Sequence, residues 1–180
     1  MTVNTYVAFL RGINVGGHHT VPMAFLKKDL EKLGFSNINT ILNSGNIIFD
    51  SNSPFTALDF DLEIYFQKEF GFAVPVIVRN KENILDILKS TPFKNIEMNS
   101  QKRLYVSFLK EKSPATLEVP KVFENGSFMI TGIANRSVYS VLDLSTSKTP
   151  KAMNVLEQLF GKNITTRSWN TIERIGKLLQ

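Results

Sequence analysis

Apolar positions in this chain recur at two spacings, and the changes from one spacing to the other mark its elements. Tyr6 to Leu10 is a continuous apolar run of strand length. Met23, Leu26, Leu30 and Leu33 then recur at helical spacing, with Gly34 placed to end the helix. Two short strands follow, Ile38 to Leu42 and Ile47 to Phe49, joined by Asn43-Ser44-Gly45-Asn46, whose small polar residues and glycine are hairpin-turn chemistry. Leu58, Leu62, Tyr65 and Phe66 make a second helical stripe ended by Gly71, and Val74 to Val78 reads as a strand. The order is βαββαβ.

A third helix, Lys81 to Lys89, stops before Pro92, and a polar connection runs from there to Gln101. Beyond it Leu104 to Leu109 is a strand and Ser113 to Leu117 a short helix. Ser127 to Thr131 and Ser137 to Leu142 form a hairpin across Gly132-Ile133-Ala134-Asn135. Met153, Leu156, Leu159 and Phe160 build a helix ended by Gly161, and Ile164 to Arg167 is a last short strand. The βαββαβ order has repeated. It predicts an α+β fold of tandem ferredoxin-like subdomains, 1–91 and 101–180, closed by a C-terminal helix on which Ile172, Ile175, Leu178 and Leu179 share a face. Asn170 and Glu173 have capping-box spacing at the start of that helix.

Composition narrows the possibilities. A chain of 180 residues with 43% hydrophobic content can bury a core. With no cysteine it has no disulfide framework, thiol nucleophile or thiolate metal site, which fits a reducing cytoplasm. The start Met1-Thr2-Val3-Asn4 has no basic flank followed by an apolar segment, and no apolar run reaches membrane-spanning length, so an unexported protein without a membrane partner is expected. The balance of 21 basic against 16 acidic residues, a formal charge of +5, favours anionic partners, although no block of five or six like charges occurs.

Candidate chemistry centres on Arg11-Gly12-Ile13-Asn14-Val15-Gly16-Gly17-His18-His19-Thr20, a glycine-rich turn between the first strand and the first helix. Glycines let backbone approach a ligand closely, and amides feeding a helix start favour an anion. In a ferredoxin-like unit this turn lies at the same end of the sheet as Asn43-Ser44-Gly45-Asn46. Arg11, Gly12, Asn14, Gly16 and Gly17 would therefore converge there with Asn43, Ser44, Gly45 and Asn46, the last entering its strand beside Leu10. The same reasoning in the second half brings Lys148, Thr166 and Arg167 to another helix start. Each cluster offers the charge-assisted donors that a phosphate or carboxylate needs.

Three of these blocks, Arg11-Gly12-Ile13-Asn14-Val15-Gly16-Gly17, Ser44-Gly45-Asn46 and Thr165-Thr166-Arg167-Ser168-Trp169-Asn170-Thr171, resemble the signature motifs of the bacterial family called domain of unknown function 1697. Their order and spacing agree over nearly the whole chain. The chain departs from the pattern at His18-His19 and at Ser147-Lys148-Thr149. The resemblance implies a compact cytoplasmic α+β protein, and the family brings with it no established activity, substrate or cofactor.

Other chemistries fit less well. Gly12 and Gly17 have P-loop spacing, but His18 and His19 replace the phosphate-binding Lys and its following Ser or Thr, and no dinucleotide fingerprint is present. His18 and His19 lack the thiolate or carboxylates that would complete a metal site. Ser44 lacks a nucleophile elbow, so its plainer role is to satisfy the turn. Arg11 has an alternative as an ion-pair partner of Asp50 or Glu31. Trp169 reads as a packing residue with Asn170 and Thr171 as caps, and Asp59, Asp61 and Glu63 as a solvated helix face. A small anionic ligand is thus the leading expectation, with cofactor and reaction unassigned. Nucleic acid ranks second, through stacking by Tyr6, Phe9 or Phe49 on the sheet, because strands apolar on both faces, such as Val74 to Val78, leave no reading surface. A noncatalytic interaction domain with an unknown protein partner is a further alternative.

Overall fold

The computed structural model describes residues 3–14, 19–41, 44–112 and 117–180. The chain divides into two compact units, Met1–Ile84 and Leu85–Gln180.

The first unit runs β1 Asn4–Leu10, α1 Met23–Lys32, β2 Ser36–Ile41, β3 Asn46–Ser51, α2 Phe55–Phe70 and β4 Val76–Asn80. Its sheet has the order β2-β3-β1-β4 with every neighbouring pair antiparallel, the ferredoxin-like arrangement expected from the pattern. One face sets Ala8, Leu10, Ile47, Phe49, Val76 and Val78 against Leu26 and Leu30 of α1 and Leu58, Leu62 and Phe66 of α2. Val7, Phe9 and Ile77, which alternate with these, are buried as well. Helix α1 closes where Gly34, at φ +83°, donates its N–H to Glu31 O and Phe35 donates to Leu30 O. That pair of bonds is the Schellman arrangement, and it leaves Leu33 as the C-cap, 40% exposed, outside the apolar stripe expected to contain it.

Both edges of this sheet are blunted. In β2 the register shifts between Ser36 and Asn39, where Asn37 has φ +50° and bonds Asp50 at 2.7 Å. Along β4, the N–H groups of Val78 and Val76 donate to Asp59 Oδ1 and Glu63 Oε1 of α2, each at 2.9 Å. Asp59 and Glu63 therefore are not a solvated face with Asp61. Four residues apart on a helix, they match the two-residue step between outward N–H groups of a strand.

Helix α3, Lys81–Lys89, matches its expected span, and the division between units falls within it. The second unit continues with β5 Lys102–Leu109, β6 Lys121–Phe123, β7 Phe128–Ala134, β8 Ser137–Asp143, α4 Thr149–Phe160, β9 Ile164–Ser168 and α5 Trp169–Leu179. Its order is β6-β7-β8-β5-β9, a ferredoxin-like sheet extended by β6 at one edge. That three-residue strand carries too little alternation to announce itself. The helix expected at Ser113 to Leu117 lies, apart from Leu117, outside the described residues.

Two turns differ from expectation for local reasons. The β7–β8 hairpin turns at Asn135 (φ +48°) and Arg136 (φ +58°), a two-residue turn that matches the strands' twist. Gly132 lies inside β7 where the register slips, and a Cβ there would approach Tyr139 to 3.2 Å. Strand β9 extends to Ser168 because Ser168 still pairs with Tyr105, so α5 starts at Trp169 with Ser168 as its N-cap and Asn170 already helical. Ser168 Oγ lies 2.9 Å from Thr171 Oγ1. Trp169 packs edge-on against Phe93, as a packing residue should. The buried face of α5 is Thr171, Ile172, Ile175, Gly176 and Leu179, and Leu178 points outward. Gly176 leaves room for Leu88 of α3, which a Cβ would strike. Among the described residues no helix is long and apolar enough to cross a membrane.

Candidate functional site

The exit of β1 is clasped from both sides. Leu10 N–H donates to Gly45 O at 2.8 Å and Arg11 N–H to Pro75 O at 2.9 Å. Asn46 pairs with Phe9, one residue before the expected Leu10. Gly45, at φ +72°, is wedged so tightly that a Cβ would lie 2.8 Å from both Leu10 Cβ and Ile13 Cδ1. The two loops therefore meet at one end of the sheet, as the topology required. Arg11 follows half-buried, and Gly12, at φ +74°, and Ser44 are exposed beside this junction.

The asparagines have internal tasks. Asn14 adopts φ +54°, donates its N–H to His19 O at 3.1 Å, and pairs its side-chain amide with Val21, accepting from N–H at 2.8 Å and donating to C=O at 3.1 Å. It closes the glycine-rich loop as a backbone segment would. His19 lies on Phe72 with ring centroids 4.2 Å apart, and Phe72, Phe70 and Phe66 continue the stack into the core. Asn46 is fully buried and donates to Ile41 O at 2.9 Å and Ser44 Oγ at 3.0 Å, which gives Ser44 the turn-satisfying part expected of it. Gly16, Gly17, His18 and Asn43 lie outside the described residues. Asp50, offered as a partner for Arg11, is engaged by Thr5 and Asn37 at the far end of β1, about 20 Å away at strand rise.

The second cluster separates. Thr166 and Arg167 are successive residues of β9 and point to opposite faces of the sheet. Thr166 Oγ1 meets Ser107 Oγ at 2.8 Å on the face that packs α4. Arg167 is buried on the other face and donates to Thr165 Oγ1 at 2.8 Å and Thr166 O at 2.9 Å. Desolvation by burial pushes its guanidinium down to about 10. Lys148, the N-cap of α4, is exposed, and its side chain makes no capping bond. The pleat thus keeps Arg167 from joining Lys148 and Thr166 on one wall.

The aromatic residues proposed for base stacking are unavailable for it. Tyr6, Phe9 and Phe49 are buried, and Val76, Ile77 and Val78 are buried in succession, so both faces of the strand are covered. The positive charge is unevenly distributed. The second unit carries 14 Lys and Arg against 8 Asp and Glu, whereas the first carries 7 against 8.

Comparison with known proteins agrees with this architecture. The chain is similar over 99% of its length, at 26% identity and a TM-score of 0.79, to the whole of a solved chain described as the conserved bacterial protein SP0830 from Streptococcus pneumoniae. Among curated proteins none matches. The family model described as protein of unknown function (DUF1697) matches residues 3–131, which take in the glycine-rich loop and the Ser44-Gly45-Asn46 turn. The chain belongs to that family.

Proposed function

We propose that the protein binds a small anionic or phosphorylated ligand at the end of the first unit's sheet, beside Arg11, Gly12 and Ser44. The observation that carries this reading is the junction of the β1 exit with the β2–β3 hairpin through Leu10 N–H and Gly45 O, 2.8 Å apart. Arg11, a half-buried residue, follows that junction directly, and the exposed Gly12 comes next. A guanidinium offers a planar fork that matches carboxylate and phosphate, and glycine backbone permits close approach. Any reaction there would depend on donors fixed in advance to stabilise developing negative charge. Arg167 is a separate cation in the second unit, held where a low dielectric would strengthen its attraction for an anion. The absence of cysteine supports a cytoplasmic setting.

Thermal unfolding of the wild type with phosphate, common nucleotides, sugar phosphates and a short single-stranded RNA tests the reading, because a ligand that binds only the native state raises the melting temperature. A rise with one small anion, lost in Arg11→Ala while the melting temperature without ligand is retained, is the expected result. A response confined to RNA, falling steeply with salt, would replace it with the nucleic-acid reading, which the second unit's positive excess favours.

A further inference from the structure

A cavity of about 310 Å³ opens on the second unit's sheet, on the face away from α4, beneath the segment around Ile96. That volume is at the lower end of small-molecule sites. The strand register sets its chemistry. Val122 pairs with Met129 and Met129 with Val141, so these side chains form an apolar row across β6, β7 and β8. One pleat repeat further along, Lys102 pairs with Asp143 on the same face, about 7 Å from that row.

The two charged groups are each fixed by a partner other than the other. Lys102 Nζ donates to Glu97 O at 2.6 Å. Asp143 Oδ1 accepts from Ser145 N–H at 2.9 Å and Ser145 Oγ at 2.5 Å, which leaves Oδ2 for a further donor. The Ser145 bonds and the Lys102 charge hold the Asp143 carboxyl below its ordinary range, so it is ionised at neutral pH. Lys102 and the ionised Asp143, with Glu97 as a second acidic residue of the lining, flank the apolar row, an arrangement that suits a zwitterion with a hydrocarbon tail.

We propose that this cavity binds a free α-amino acid with an apolar side chain. Its carboxylate would meet Lys102, its ammonium Asp143, and its side chain Val122, Met129 and Val141. The site is independent of the Arg11 loop, and neither proposal depends on the other.

Titration calorimetry of the full chain with L-leucine, leucinamide and N-acetyl-leucine tests it. Leucine is expected to bind, and each blocked analogue, which lacks one of the two charges, at least about tenfold more weakly. Asp143→Asn, which keeps the acceptor for Ser145, should weaken leucine by a similar factor. Met129→Trp should abolish binding by filling the cavity, with an unchanged circular dichroism spectrum certifying the fold of each variant. No binding of leucine at about 10 mM, equal binding of leucine and leucinamide, or wild-type affinity in Asp143→Asn would each overturn the proposal.

Discussion

Replacing Gly45 with alanine adds one methyl group at the junction on which the Arg11 site depends, and its cost divides into two measurable parts. The first is conformational. At φ +72° an L-residue loses about 1–2 kcal/mol relative to glycine. The second is steric. The new Cβ would lie 2.8 Å from Leu10 Cβ, which is fixed to the β1 backbone, and 2.8 Å from Ile13 Cδ1. Overpacking of a tight site costs about 1–3 kcal/mol, so Gly45→Ala should destabilise the fold by about 2–5 kcal/mol in all. Gly12→Ala isolates the first part, because Gly12 has nearly the same φ, +74°, with nothing within 4 Å of a Cβ. Urea unfolding followed by backbone circular dichroism reads both variants. With a slope of about 1–3 kcal/mol per molar urea, Gly45→Ala should lower the midpoint by about 1–2 M, and Gly12→Ala by clearly less. Adding Ile13→Val to Gly45→Ala removes Cδ1 and should recover part of the difference. Equal losses in the two single variants would refute the steric wedge and reduce Gly45 to an ordinary turn glycine.

Two further perturbations test the polar framework. Asp59→Ala and Glu63→Ala should each cost about 1–2 kcal/mol and speed amide exchange at Val78 and Val76, whereas Asp59→Asn and Glu63→Gln, which keep an acceptor, should recover most of both; Asn as damaging as Ala would show that the bonds to β4 are incidental. Arg167→Met removes a buried charge together with its bonds to Thr165 Oγ1 and Thr166 O, two effects of opposite sign, so stability at pH 7 should change by less than about 3 kcal/mol, and a larger loss would identify Arg167 as structural. Burial disfavours the charged form, so the cost is present in full below about pH 10 and is relieved as pH rises through about 10 towards the ordinary guanidinium value.

Side-chain periodicity determined the elements and their order, since each element must turn its apolar positions to one core, and that constraint acts over a few residues at a time. It made the βαββαβ repeat legible, along with the span of α3 and the glycines that end α1 and α2. The meeting of the β1 exit with the Ser44-Gly45 turn was legible too, because the antiparallel pairing of β1 and β3 follows from that order. Only the tertiary structure decided what each polar side chain meets. Asp59 and Glu63 read as solvated until α2 is laid along the edge of β4, and Asn46 reads as a ligand residue until its amide is turned into its own hairpin. Thr166 and Arg167 are neighbours in sequence and lie on opposite faces in the sheet, and the register of four strands brings Lys102 and Asp143 alongside Val122, Met129 and Val141. A hydrophobic side chain needs only to be inside, so its place follows from its spacing. A hydrogen bond or a charge pair needs one particular partner at about 3 Å, and that partner is supplied by residues far away in the chain.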